Sequence, residues 1–233
     1  MAERPVFIPR PDGSRLVEEI SVSFTWHKGM APSQKKKNVL ALHEAASLRN
    51  LKPLLEVSTK SEDRLGQRLS AFNLKVELNA NKSIPLECAY QGSKVFEQGG
   101  PFTDLYSVDS REAKRDPRLQ TSGNLVAFIF QGIEFPLFPK TAFYDWLYIR
   151  AIFPHREYLA RLHAYAGFTD IEFNPEKSLN CQARSCATFV ALDINGMLAE
   201  SIESLQSFIE VLRPGSVKQP HSYAERQQSL FAA

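Results

Sequence analysis

Three polar side chains that could take part in catalysis recur at helical spacing in the segment Leu86–Phe96 (LECAYQGSKVF). Because a helix turns by about 100° per residue, Glu87, Gln91 and Lys94 are predicted to share one face of a helix. A carboxylate can transfer protons, and a neutral lysine amine can attack carbon. The spacing alone favours a plainer interpretation, an exposed helix face whose two charges are too far apart to pair.

The elements that would position these side chains alternate between short strands and helices. Pro85 suits the first turn of the predicted helix Leu86–Phe96, and the Gly-Gly-Pro run at 99–101 ends it. Apolar runs and chain breakers predict strands at Val22–Trp26, Leu54–Ser58, Leu125–Phe130 and Phe168–Phe173, an extended segment at Leu69–Leu74, a turn at 79–83, and helices after Ser33 and at Ala142–Ile152, Arg156–Tyr165, Asn180–Leu192 and Ser201–Leu212.

This pattern predicts an α+β fold, a predominantly helical single domain with a small β-sheet. Residues 1–20 are polar and rich in proline, and no strand is predicted there. The domain is expected to span residues 1–212. Residues 213–233 are polar and contain proline, so a mobile tail is expected.

Composition excludes several classes of function. A net charge of +2 over 233 residues gives no strong basic field of the kind that proteins wrapping duplex DNA carry. The run Gln34–Lys37 (QKKK) is more typical of a solvated helix face than of a nucleic-acid contact. Three cysteines without a CxxC pair, and five histidines without ligand spacing, predict no disulfide framework and no metal site. No apolar run is long enough to span a bilayer, no signal peptide is evident, and neither a dinucleotide nor a nucleotide-phosphate motif is present. A cytoplasmic location is expected.

Two segments together resemble the signature of the NADAR superfamily. Leu69–Asn73 (LSAFN) is similar to the LSNF-like segment of that family, with Ala71 inserted where the family has asparagine. Ile84–Phe96 (IPLECAYQGSKVF) is similar to its WP-x-x-EHAYQAxKF-like helix. Cys88 stands where the family has histidine, so a role that depends on that histidine is in doubt here.

Weaker similarities follow in the family's order, and the resemblance spans residues 65–195. Ser110–Asp116 (SREAKRD) resembles a basic segment between the two halves of the family's domain. Tyr144–Ile152 resembles the helix that carries the family's tryptophan, here Trp146 preceded by Asp145. Asn180–Leu192 resembles the closing helix, with Asn180 kept.

Residues 24–46 (FTWHKGMAPSQKKKNVLALHEAA), together with the STKS of residues 58–61, resemble the NADAR branch encoded beside DarT-type DNA ADP-ribosyltransferase toxins. For that branch the resemblance implies an antitoxin that hydrolyses the N-glycosidic bond between ADP-ribose and guanine in DNA. The expected substrate is modified single-stranded DNA, and the expected functional partner is a DarT-type toxin. No cofactor and no metal are implied.

The resemblance also assigns roles to individual residues. Lys94 would attack the sugar carbon if its amine were kept neutral, and Glu87 would handle the proton. Trp146 would stack on a base, with a core position as the alternative, and Lys114, Arg115 and Arg118 would meet the diphosphate or simply be solvated. The substrate-binding residues expected on this basis are Ser70, Phe72, Asn73, Gln91, Lys114, Arg115, Asp145, Trp146, Asn180 and Gln182.

Two other functions stay open at this point. One is an N-glycosidase that acts on riboflavin-pathway intermediates, as other NADAR proteins do. Residues 1–60 weigh against it, since they are extra to the compact family core and could bind a polymer. The other is a non-catalytic module that binds ADP-ribosylated DNA or the toxin. The presence of both Glu87 and Lys94 argues against it, and a neighbouring toxin gene would favour the antitoxin.

Overall fold

The structure is a computed structural model that describes residues 1–12, 15–29, 31–79, 82–176 and 178–212. Within these ranges nine strands form three separate sheets. The strands are β1 Ala2–Pro9, β2 Val17–Phe24, β3 Leu54–Glu56, β4 Lys75–Asn79, β5 Lys82–Pro85, β6 Lys94–Phe96, β7 Leu125–Phe130, β8 Ile133–Phe135 and β9 Gly167–Thr169.

Ten α-helices surround these sheets in the described part of the chain. They are α1 Pro32–Ser47, α2 Arg64–Arg68, α3 Leu86–Gly92, α4 Ser110–Arg115, α5 Arg118–Thr121, α6 Ala142–Ile152, α7 Arg156–Leu159, α8 Gln182–Ile194, α9 Leu198–Glu203 and α10 Leu205–Val211. Short 3-10 helices cover Thr103–Ser107, Phe153–His155 and Ala160–Ala164. The fold is therefore α+β as predicted, but the predicted dominance of helix overstates it, because the strands are more numerous than the sequence suggested.

The largest sheet has the order β2-β1-β9-β3. β9 runs antiparallel to β1 and parallel to β3, so it lies between two amino-terminal strands. Strand β1 was not predicted from the sequence. Its apolar residues Val6, Phe7 and Ile8 are buried, and its pairing with β2 extends over the whole strand. The prolines of this segment argued against a strand in the sequence, but pairing with another segment stabilises β1.

The sheet β6-β7-β8 contains a tight hairpin between β7 and β8. β7 matches the predicted strand, and β8 returns after two residues, Gln131 and Gly132, which both have positive φ (55° and 77°). Two consecutive left-handed residues are the signature of the type I′ turn, whose twist matches that of paired strands. The third sheet is the β4–β5 hairpin, and the tip of its predicted turn at residues 80–81 lies outside the described residues.

Helix α3 is shorter than predicted. It ends at Gly92, and Ser93 closes it by donating from Oγ to the carbonyl of Ala89 at 2.6 Å. A Cβ at Gly92 would lie 2.5 Å from the Tyr106 ring, so only glycine allows this close approach. Lys94 consequently starts β6 and pairs with Phe128, so the predicted helix through Phe96 was wrong.

Other element predictions were partly right. α6 has the predicted bounds, α1 and α8 occupy the predicted segments, and strands end early at Glu56 and Thr169. The extended segment predicted at Leu69–Leu74 is a turn over residues 70–73. The helices predicted at 156–165 and 201–212 are each broken into shorter pieces. The predicted mobile tail, 213–233, lies outside the described residues.

The main core lies between α6, α8 and the β6-β7-β8 sheet. Phe143, Leu147 and Tyr148 of α6 and Phe189 of α8 are all fully buried in it. A second, smaller core packs α1 against the β1–β2 hairpin. None of the helices in the described ranges is long and apolar enough to cross a membrane.

Candidate functional site

The Glu87 carboxylate is buried near the start of α3, with an exposed fraction of 5%. Its Oε1 accepts a hydrogen bond from Gln91 Nε2 at 2.8 Å, one helical turn later. The Lys114 ammonium on α4 lies 3.8 Å from the same oxygen. Because Lys114 is more than half exposed, this ion pair joins a buried carboxylate to the protein surface.

The Lys94 amine is the second reactive group, and it approaches from a strand. Its Nζ lies 4.9 Å from the centre of the Tyr90 ring. Burial lowers the pKa of Lys94 to about 8; the Glu87 carboxylate acts against this shift, and the Lys114 ammonium adds to it. A lysine with this pKa is neutral in a useful fraction of molecules near neutral pH, which nucleophilic attack requires.

The Tyr90 side chain contacts both Lys94 and the segment just before helix α8. Its ring packs edge-on against Tyr144 and beside Phe128. Its hydroxyl accepts a 2.6 Å hydrogen bond from Asn180 Nδ2, just before α8 begins. The structure thus places the Tyr90 ring in contact with the Lys94 amine.

The turn at residues 70–73 brings three further predicted residues to the site. Phe72 is half-buried, and the Lys114 ammonium lies 5.4 Å from its ring centre. Asn73 is exposed and donates to the Gln67 carbonyl, and Ser70 is fully buried. Gln182 braces the turn, because its Oε1 accepts from the Ala71 amide at 2.7 Å.

Several buried polar atoms at the site have no hydrogen-bond partner within the described part of the chain. They are Ser70 Oγ, Gln91 Oε1 and Asn180 Oδ1. Buried polar atoms in folded proteins are nearly always satisfied, so each unsatisfied one needs an explanation. All three belong to residues that the sequence had predicted to bind substrate.

A cleft of about 740 Å³ lies next to the Lys114 side chain, which contacts Glu87; Glu87, Lys94 and the three residues with unsatisfied atoms are not among its lining residues. Phe72, Asn73, Lys114 and Arg115, all predicted to bind substrate, line it. The remaining lining residues are Thr59, Lys60, Asp109, Ser110, Arg111 and Glu172. Four cationic side chains thus face two carboxylates, and one of these, Asp109, is occupied in capping α4. The cleft is suited to an anionic ligand of drug-like size.

Three of these lining residues belong to segments with a weak sequence signal, and Glu172 had none. Thr59 and Lys60 belong to the STKS segment that had been noted only as a branch resemblance. Arg111 lies in the basic segment 110–116 but had not been singled out. Glu172, which lies 3.9 Å from the Lys60 ammonium, comes into the cleft because β9 and β3 end side by side, and spacing along the chain carries no sign of this.

Asp145 lies deeper than the cleft. It is buried between α6 and α8, where Ser185 Oγ donates to it at 2.5 Å and Arg184 approaches at 3.4 Å. Burial raises its pKa, and Arg184 opposes this effect. Arg118 is also occupied elsewhere, in ion pairs with Asp104 and Asp116, while Arg115 faces the cleft.

Trp146 lies in the hydrophobic core and does not line the cleft. It is 4% exposed, its ring centre lies 5.3 Å from that of Phe135, and the Arg150 guanidinium lies 4.8 Å away. This placement supports the core alternative over base stacking.

We therefore expect Trp146→Ala to lower the free energy of unfolding by about 3–5 kcal/mol, because it leaves a cavity in the core. Denaturant unfolding followed by circular dichroism measures this loss. Trp26→Ala is the matched control. Trp26 is partly exposed, so its loss should be clearly smaller. Normal stability with weakened substrate binding would instead support stacking by Trp146.

The fold and the site together define an α+β protein in which a buried carboxylate and a partly buried amine lie near a cationic cleft. No group of three or more histidine, cysteine or acidic side chains in the described ranges could hold a metal ion. The chain belongs to the family of DarT1-associated NADAR antitoxins, which matches residues 2–222. NADAR proteins are in general glycosidase-like hydrolases. No curated protein matches the chain.

Proposed function

We propose that this antitoxin hydrolyses the N-glycosidic bond between ADP-ribose and a guanine base of DNA, and so reverses the modification made by its DarT1 toxin. The observation that carries the proposal is the partly buried Lys94 amine, which lies against Tyr90 and within the electrostatic reach of Glu87. A neutral amine beside a carboxylate can replace the base at the anomeric carbon and manage the proton that moves with it.

The cleft supports the same ligand class. Arg115, Lys114, Arg111 and Lys60 line it, and guanidinium and ammonium groups bind diphosphate oxygens well. Phe72 offers a half-buried aromatic ring for a base. The unsatisfied oxygens of Ser70, Gln91 and Asn180 would accept hydrogen bonds from ribose hydroxyls or from the amino group of a base.

We expect the purified protein to release ADP-ribose from guanine-modified single-stranded DNA without added metal, since an amine and a carboxylate carry the proposed chemistry. Chromatography of the released nucleotide measures this activity. The same oligonucleotide with thymine-linked ADP-ribose is the control, and it should react much more slowly.

Three results would contradict the proposal. Equal rates on the two linkages would remove the guanine specificity. Complete inactivation by a chelator, reversed by a divalent ion, would require a different mechanism. Tight binding of modified DNA with no release of ADP-ribose would favour a non-catalytic binding module.

A further inference from the structure

Two buried carboxyl groups that take no part in the proposed catalysis lie next to the wall of the cleft. Glu56 ends β3 and Asp170 follows β9, with exposed fractions of 2% and 8%. The two strands are parallel and Glu56 is opposite Thr169, so the segments that follow β3 and β9 leave the sheet at the same edge. Lys60 lies in the first of these segments and Glu172 in the second, and both line the cleft.

Glu56 holds the loop at residues 58–61. Its Oε1 accepts from Ser58 Oγ at 2.5 Å and from the Ile171 amide at 2.9 Å. Ser58 Oγ in turn accepts from the Lys60 amide at 3.1 Å. One carboxyl group thus fixes the start of the loop that brings Thr59 and Lys60 into the cleft.

Asp170 holds two other segments of the wall. Its Oδ1 accepts from the Glu172 amide at 3.0 Å, its main-chain carbonyl accepts from the Phe173 amide at 3.2 Å, and the Gln182 side chain lies close enough to the carboxylate to lower its pKa. Gln182 uses its Oε1 to accept from the Ala71 amide, so its amide nitrogen is the group that is left to interact with Asp170. This chain links Asp170 to the turn that carries Ser70, Phe72 and Asn73.

The hydrogen bonds around this pair are compatible with a proton on Glu56. The Asp170 carboxylate accepts from the Glu172 amide, and the Gln182 amide nitrogen beside it is also a donor, which suits an ionised carboxylate. Glu56 Oε2 lies 2.7 Å from Thr169 Oγ1, which lies 2.8 Å from His43 Nε2. A protonated Glu56 would donate to Thr169, and the Thr169 hydroxyl would then donate to a neutral His43. Burial lowers the pKa of His43 to about 4, so it is neutral at pH 7.

Electrostatics favours one proton on the pair near neutral pH. Burial raises the pKa of Glu56 and that of Asp170, and the Asp170 charge raises that of Glu56 further, so Glu56 is the group that keeps the proton. The other titratable groups that interact electrostatically with the pair are Arg4, Tyr144, Tyr148, Glu172 and Cys181, and His43 is connected to Glu56 through Thr169. The tyrosines and Cys181 have raised pKa values and stay neutral at pH 7, so only Arg4 and Glu172 add charge.

We propose that Glu56 and Asp170 are positioning residues: a protonated Glu56 and an ionised Asp170 together hold the 58–61 loop, the 70–73 turn and the 170–173 turn in place as the wall of the cleft. The two residues touch no substrate in this scheme. The inference rests on the proposed function only for the choice of ADP-ribose as ligand.

The two isosteric variants should behave differently, which makes the test sharp. Glu56→Gln places an amide donor toward Thr169 and so imitates the protonated acid. Asp170→Asn removes the negative charge and cannot offer an acceptor both to the amide of residue 172 and to Gln182. Hydrogen exchange measured by mass spectrometry at pH 7, without ligand, should show faster exchange at residues 70–73 in Asp170→Asn and little change in Glu56→Gln. Ser201→Ala, which removes a buried hydrogen bond in α9, is the control and should leave the cleft segments unchanged.

Binding of ADP-ribose gives the second measurement. It is made by calorimetry in a Lys94→Ala background, so that titration of Lys94 does not contribute. Asp170→Asn should weaken binding about 10-fold or more, since a buried charge-assisted hydrogen bond is lost. Affinity in this background should fall above about pH 8 as Glu56 loses its proton, and Glu56→Gln should abolish that fall. If Asp170→Asn does not fold, Gln182→Met breaks the same link to Ala71 with little change in volume.

Stability gives an independent check of the proton on Glu56. The unfolded chain releases this proton near the ordinary pKa of 4.5, whereas the folded chain keeps it until about pH 8. The unfolded state therefore binds fewer protons between these values, and the stability contributed by Glu56 declines as pH rises through this window. Glu56→Gln should thus gain in thermal stability relative to the wild type from pH 5 to pH 8, with no further gain above.

The outcomes separate the two proposals. Unchanged exchange and affinity in both Asp170→Asn and Gln182→Met would overturn the positioning role. Impairment by Glu56→Gln with a normal Asp170→Asn would overturn the assignment of the proton. If the wild-type chain does not bind ADP-ribose, the proposed function fails, while the exchange measurement still decides the role of the acid pair.

Discussion

Replacing Lys94 by alanine or by arginine is expected to abolish release of ADP-ribose. In the proposed reaction the neutral amine attacks the anomeric carbon, the bond from that carbon to guanine breaks, and the base leaves with the electron pair. The sugar ring then opens to give a Schiff base, and water adds to the same carbon and frees the lysine. Arginine keeps a side chain of similar length but stays protonated, so it cannot attack.

Borohydride added during turnover should reduce the Schiff base and leave one ADP-ribose-derived adduct on the peptide that contains Lys94. Mass spectrometry detects this adduct, which should be missing in both variants. Lys75→Arg, an exposed lysine on β4, is the matched control and should retain full activity. A folded Lys94→Ala protein with wild-type turnover would rule out the covalent route, and Glu87 would then have to activate a water molecule.

The pH profile of the single-turnover rate offers a second view of the same lysine. With a pKa of about 8, roughly a tenth of Lys94 side chains are neutral at pH 7. The rate should therefore rise with pH up to about 8 and then level off. A rate that is flat between pH 6 and 9 would contradict attack by this amine.

Glu87→Gln is expected to lower the single-turnover rate by about 100-fold or more, the usual contribution of general acid–base catalysis. The carboxylate would take the proton from the attacking amine and give it to the leaving base. Glutamine has nearly the same shape but cannot carry that proton, and Gln91 can still hydrogen-bond to its carbonyl oxygen. The effect should therefore appear in the chemical step more than in binding.

A control variant separates this role from the ion pair with Lys114. Lys114→Gln removes the 3.8 Å contact and one cationic lining residue of the cleft. It should raise KM with a smaller change in the chemical rate. If Glu87→Gln changed only KM, and to the same extent as Lys114→Gln, Glu87 would be a binding residue.

The sequence predicted the local elements well where side chains alone determine them. Helix α6 and strand β7 have the predicted bounds because both are largely apolar segments with breakers at their ends. Helix α3 was predicted too long, since helical spacing continues through Lys94 while Gly92 and Ser93 turn the chain into β6. Glu87 and Lys94 therefore lie on different elements. The helical spacing that predicted a shared face is not what brings them together.

Long-range pairing explains what the sequence could not predict. Glu56 reads as a polar residue in an apolar strand, and Asp170 as part of another strand more than a hundred residues later. The two carboxyl groups come within electrostatic range of each other only because β3 and β9 pair. β1 was missed for the same reason, since its hydrogen-bond partners lie in β2 and β9.

The position of β9 has a consequence for how this antitoxin could be shortened. The first 60 residues look in sequence like an appendage to a compact core, yet they supply the strands on both sides of β9. A fragment starting after residue 60 would leave both edges of that strand bare, together with the apolar residues that pack around it, and exposed edges of this kind promote aggregation. A minimal catalytic unit is therefore not to be sought by trimming the amino terminus; a circular permutant that keeps every strand is the more promising design.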